Sequence, residues 1–124
     1  MKLISLVYFL FLVINTSECS KKPKDDQLLK GRLEVKGICM NYTIALLDGE
    51  VDPDKIESKW TDEVTGTEYK NVFALANPCS FPESLNPGDE FYFKIEPARK
   101  SDCVVCLAYY PKPAKGLSIV IIDK

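Results

Sequence analysis

The chain of 124 residues contains no histidine, so it lacks the side chain used most often as a general base near neutral pH and the commonest metal ligand. Ser-His-Asp and Cys-His catalysis are thereby excluded within one chain. Surplus positive charge is missing too. Sixteen basic residues against eighteen acidic ones give a formal charge of −2, and such a surface is not steered toward a phosphate backbone. Nucleic acid is not an expected partner. No apolar run reaches the ~20 residues that span a bilayer, and no helical pattern is long enough to cover a sheet. The remaining Asp, Glu and Lys residues are what any globular surface carries, so the expectation is a non-enzymatic protein without a cofactor.

What is present describes an exported single domain. At 46% hydrophobic and 27% charged, the composition is that of an ordinary globular protein. Lys2 precedes an apolar run over residues 3–14, ended by Asn15, Thr16, Ser17 and Glu18. Its length fits a signal peptide and falls short of a membrane span. Residues 1–19 therefore read as a signal peptide, 20–30 as a charged linker and 31–124 as the folded domain. Five cysteines are an odd number. Setting Cys19 aside leaves Cys39, Cys79, Cys103 and Cys106 as an even set, and in an oxidising compartment the default is two disulfides.

Along the domain, Arg32 to Lys36 alternates polar and apolar as a half-buried strand does. Residues 42–47 form a second apolar run, closed by the Asp48-Gly49 turn pair. Asp52 before Pro53 predicts one short helical turn. Residues 58–61 and 69–75 flank a Gly-containing polar stretch and are expected to pair as a hairpin. Three prolines make residues 77–89 a loop, and Pro87-Gly88 turns the chain into a strand with Phe91, Phe93 and Ile95 on one face. Residues 103–110 are expected as a further strand, broken by Pro111 and Pro113, and residues 117–122 as the last. Five or six strands without a covering helix predict an all-β fold, either a sheet closed on itself or a compact β-sandwich.

Cys103-Val104-Val105-Cys106 is the one segment with a functional spacing, that of a redox dithiol or half of a zinc site. A thioredoxin-like pair sits at a helix N-terminus, and no helix follows here. In a strand the two Cα atoms would lie about 10 Å apart, beyond disulfide reach. Structural zinc sites usually supply two close pairs, whereas Cys39 and Cys79 are solitary. The structural reading has Cys103 and Cys106 bridged to Cys39 and Cys79. A periplasmic thiol-disulfide or metal-binding protein using Cys103 and Cys106 is the alternative. The acidic run Asp48, Glu50, Asp52 and Asp54 lacks the spacing of an EF-hand and reads as a solvated turn. Trp60, Tyr109 and Tyr110 are candidate contacts of a shallow aromatic patch, because consecutive tyrosines in a strand face opposite ways.

Two resemblances extend this reading. Cys19 followed by Ser20, Lys21, Lys22, Pro23, Lys24, Asp25 and Asp26 resembles the start of small exported lipoproteins of Bacteroidota. That resemblance implies lipid on Cys19 and a membrane anchor at the cell envelope, in the periplasm or on the outer membrane. Glu18 and Thr16 stand where the usual lipobox has a small and an aliphatic residue. Ordinary cleavage after Cys19, giving a secreted soluble form, is the alternative. The strand order over residues 31–123 is similar to small OB-like β-barrels of exported bacterial proteins. It implies bridges from Cys39 to Cys106 and from Cys79 to Cys103. With catalysis set aside and an aromatic patch on offer, the expected role is binding of a protein or small ligand.

Overall fold

The computed structural model describes residues 27–98, 103 and 106–122; the signal peptide and Cys19 lie outside the described residues. Six strands form one sheet: β1 (Leu29–Lys36), β2 (Tyr42–Asp48), β3 (Glu57–Thr61), β4 (Glu68–Leu75), β5 (Glu90–Glu96) and β6 (Gly116–Ile122). In β1 the residues Leu29, Leu33 and Val35 are buried while Lys30, Arg32, Glu34 and Lys36 are partly exposed, the period of 2 that the sequence shows. The strand begins at Leu29, not near Gly31, because Leu29 is buried and pairs with Phe93. The linker expected over 20–30 is thus shorter than its composition suggests. Gly31 is required by close packing, since a Cβ there would come within 2.9 Å of the Phe93 ring.

β1 pairs with β2 and with β5, β2 pairs with β4, and β5 pairs with β6, all antiparallel. β4 and β6 join in parallel through Ala74 with Gly116 and Leu75 with Leu117. These five strands close a ring in the order β1-β2-β4-β6-β5, a Greek-key sequence of the OB-like kind. The all-β class is as predicted, with one sheet instead of the two of a sandwich. β3 stands outside the ring and pairs with the first half of β4 as an edge strand.

The ring encloses Leu33, Ile44, Phe73 and Phe93, all fully buried. Phe93 lies 5.9 Å from both Phe73 and Phe91, and Phe81 meets Phe91 edge-on at 5.6 Å. Such pairs add about 0.5–1.5 kcal/mol each beyond the area they bury. Asn77 is also buried. Its Nδ2 donates to the Ile119 carbonyl at 2.7 Å, and the Ile119 N–H donates to its Oδ1 at 2.8 Å. The amide side chain occupies the place of a paired residue beside β6.

Cys39 is bonded to Cys106 and Cys79 to Cys103, with Cα separations of 5.1 and 5.7 Å. This is the pairing implied by the barrel resemblance. Two bridges of this kind belong to an oxidising environment. No described helix is long and apolar enough to cross a membrane.

One predicted element is absent. Residues 106–115 carry no strand, so the strand expected over 103–110 is corrected to an irregular segment. Pro111 and Pro113 cannot donate to a ladder, and both are buried. The segment is held instead at discrete points. Asn41 Nδ2 donates to the Ala108 carbonyl at 3.3 Å, and the Ala74 N–H donates to the Lys115 carbonyl at 2.8 Å.

Candidate functional site

The loop from β1 to β2 and the segment from β5 to β6 approach each other at one end of the ring. Here the Cys39–Cys106 bridge joins them. Gly37 begins the first loop, which closes when its N–H donates to the Asn41 carbonyl at 3.1 Å. Inside it Cys39 and Met40 both adopt left-handed backbone, with φ of 57° and 60°. For residues other than glycine this costs roughly 1–2 kcal/mol apiece. Such strain persists only where surrounding structure enforces it, and the bridge from Cys39 supplies a covalent restraint.

Around the bridge, apolar side chains stand in solvent. Ile38 is 59% exposed, Tyr109 78% and Leu107 99%. Leu107 and Tyr109 line a cleft of about 410 Å³ whose walls also include Met40, Asn41, Leu75, Tyr110 and Lys112. A second hollow, of about 530 Å³, lies around Ile38, Met40 and Tyr42 and shares the bridge as a wall. Apolar groups on a covalently fixed rim form a contact surface that loses little freedom on binding.

Tyr110 secures the rim. A Cβ on Gly37 would come within 2.8 Å of the Tyr110 ring, so the ring packs directly against backbone. Its hydroxyl donates to Asp62 Oδ2 at 3.1 Å. Burial, then the Asp62 hydrogen bond and charge, hold the Tyr110 hydroxyl above its ordinary pKa. Asp62 is itself buried and accepts from the Val64 N–H at 2.8 Å, fixing the turn between β3 and β4. One carboxylate therefore orders the hairpin and anchors the segment from β5 to β6.

Of the aromatic residues singled out from sequence, Tyr109 and Tyr110 line the same cleft. Trp60 is not part of it and stacks on Tyr69 across the hairpin, with centroids 5.9 Å apart and planes 23° from parallel. Tyr109 and Tyr110 do differ in exposure, but in an irregular segment and not by strand alternation. Asp62, Gly37 and Met40 escape the sequence reading. Asp62 alone had a signal there, an Asp four residues before Gly66 in a polar turn. Cys103 and Cys106 each sit in a disulfide with a distant partner. Among the described residues no group of three or more acidic or cysteine side chains is placed to hold a metal ion. No protein-family model matches the chain, and neither a curated protein nor a solved structure matches it.

Proposed function

We propose that the protein is an exported, non-enzymatic binding module of the cell envelope, tethered to a membrane by lipid on Cys19, and that the disulfide-stapled rim meets its protein or small-ligand partner. The observation that carries this reading is the exposure of Ile38, Leu107 and Tyr109 on two loops locked together by Cys39–Cys106. Large apolar side chains on a fixed scaffold supply contact area at low entropic cost, and clustered exposure of this kind marks interaction surfaces. The lipid anchor rests on the sequence after the signal peptide.

The test begins with the intact mass of the protein from its native host. A lipid-modified chain starting at Cys19, labelled by a thiol reagent only after reduction and then at four positions, supports the tethered module. A photo-crosslinking residue placed at Leu107 should give a discrete adduct in those cells, and the same residue at Glu63 should not. An unlipidated chain whose Cys103 and Cys106 react without reduction would sink the proposal in favour of thiol or metal chemistry.

A further inference from the structure

The sheet buries a second face, opposite to the one that fills the ring. Thr43 and Ala45 flank Ile44 in β2, and Val72 and Ala74 flank Phe73 in β4, so these four side chains point away from the core that Ile44 and Phe73 share. They pair across the strands, Thr43 with Ala74 and Ala45 with Val72. Val35 joins them, because a register shift after Leu33 sets it opposite Thr43 while Leu33 stays opposite Ile44. All five are buried, Thr43 and Val72 completely. An outward face that meets no water has a cover.

The contacts of residues 106–115 carry that segment across this face. Tyr110 packs its ring against Gly37, just after β1. Asn41, just before β2, donates to the Ala108 carbonyl, and the Lys115 carbonyl accepts from the Ala74 N–H in β4. The segment thus runs from β1 past β2 to β4 as a strap, with Pro111 and Pro113 buried and Lys112 and Ala114 exposed. Tyr110 latches it to the hairpin through Asp62. The two bridges that bound this strap differ in how a reductant meets them. Cys106 is exposed, and its partner Cys39 holds left-handed backbone beside Met40. Cys79 and Cys103 are both partly buried, and neither has left-handed backbone. Exposed disulfides in strained surroundings are the labile ones.

We infer that residues 106–115 are a redox-released strap: a dithiol reductant opens Cys39–Cys106 first, and the strap lifts from the outer face while the ring stays folded. The reductant's thiolate attacks Cys106 Sγ, forms a mixed disulfide and expels Cys39 as a thiolate, which takes up a proton. The second thiol of the reductant then attacks its own sulfur in the mixed disulfide, closes as the reductant's disulfide and frees Cys106 as a thiol. Two electrons and two protons pass from reductant to protein. Opening lets Cys39 and Met40 leave the left-handed region, and the single hydrogen bonds at Asn41 and Asp62 hold little by themselves. The ring keeps its strand pairs and its core of Leu33, Ile44, Phe73 and Phe93. The strap stays attached through Cys79–Cys103 before it and β6 after it, so reoxidation restores it. Leu107 and Tyr109 move with the strap, so a thiol dismantles the exposed apolar surface. That effect on a partner rests on the binding role proposed for the rim, whereas the opening is a property of the chain alone.

The test exposes the disulfide-bonded protein to increasing dithiothreitol, blocks free thiols with iodoacetamide and locates the labels by intact mass and peptide mapping. Cys39 and Cys106 should be labelled roughly tenfold faster than Cys79 and Cys103. In the species with two labels, chymotrypsin should cut after Leu107 or Tyr109 roughly tenfold faster than in the oxidised protein, because cleavage follows local opening. Hydrogen exchange in β1 and β5 should stay as slow as before. A variant carrying Cys39→Ser and Cys106→Ser should be cut at the faster rate with no reductant present. The inference is overturned if Cys79 and Cys103 are labelled first or at the same rate, if the two-label species resists chymotrypsin as the oxidised protein does, or if protection in β1 and β5 falls along with that of the strap. None of these readouts needs a partner, so their failure is distinct from a failure of crosslinking at Leu107.

Discussion

The stapled rim and the β3–β4 hairpin solve the same problem by different means. Residues 106–115 have no ladder partners along their length and two buried prolines, so disulfides and single hydrogen bonds hold them. The hairpin has a regular register from Glu57–Val72 to Thr61–Glu68 and needs only the Asp62 carboxylate to close its turn. Covalent restraint is found where backbone pairing is missing. Two of the most exposed apolar side chains, Leu107 and Tyr109, stand on the covalently held region, while the hairpin exposes Val64 at its turn beside charged and aromatic groups.

The largest effects should come from the staples. Replacing Cys39 and Cys106 together by serine opens a closure spanning 67 residues, expected to cost about 4 kcal/mol on the chain-entropy account. The Cys79 and Cys103 pair spans 24 residues and should cost about 3 kcal/mol. Urea unfolding of both double variants measures the order, and a reversed order would mean that the folded rim, not the unfolded chain, sets the cost. Next, Asp62→Ala strands the Val64 N–H and the Tyr110 hydroxyl and should cost about 2 kcal/mol. Hydrogen exchange should then rise both in the hairpin turn and near Tyr110. Protection lost in the turn alone would show that Tyr110 does not depend on the hairpin.

Alkaline titration offers a smaller effect with a definite sign. Burial first, and then the charges of Glu34 and Asp62, hold Tyr69 above the ordinary tyrosine value of 10.0, and Tyr110 is raised likewise. A folded pKa above the unfolded one gives a contribution that is complete below the unfolded value and lost as pH rises through the folded one. Denaturant stability should therefore fall above pH 10, and less steeply in a variant carrying Tyr69→Phe and Tyr110→Phe. An equal slope would separate these hydroxyls from the stability of either region. Smallest of all is Thr43→Val. The buried Thr43 Oγ1 has no hydrogen-bond partner among the described residues, so losing it should leave stability unchanged or raise it by up to about 1 kcal/mol.

How legible each region was follows from the same contrast. Phe91, Phe93 and Ile95 declared their face by alternation, and Asp52-Pro53 declared a single turn. Local pattern fixes local structure when the neighbouring strand agrees with it. Residues 103–110 have the β-branched and aromatic character of a strand, yet their positions depend on Cys39, Asn41 and Asp62, all more than 40 residues away in sequence. Nothing in a local window reports such partners. The cysteine count made two bridges readable, while the left-handed Cys39 and Met40 and the joint duty of Asp62 needed coordinates.

Asn77 has a consequence outside the fold itself. A strand with free N–H and C=O groups on its edge is a template on which another chain can polymerise. At Ile119 both groups are already taken by one amide side chain, so an incoming chain finds no foothold there. Asn77 thus completes the pairing of β6 beyond its two pairs with β4, and the exposed edge of the sheet is left to β3.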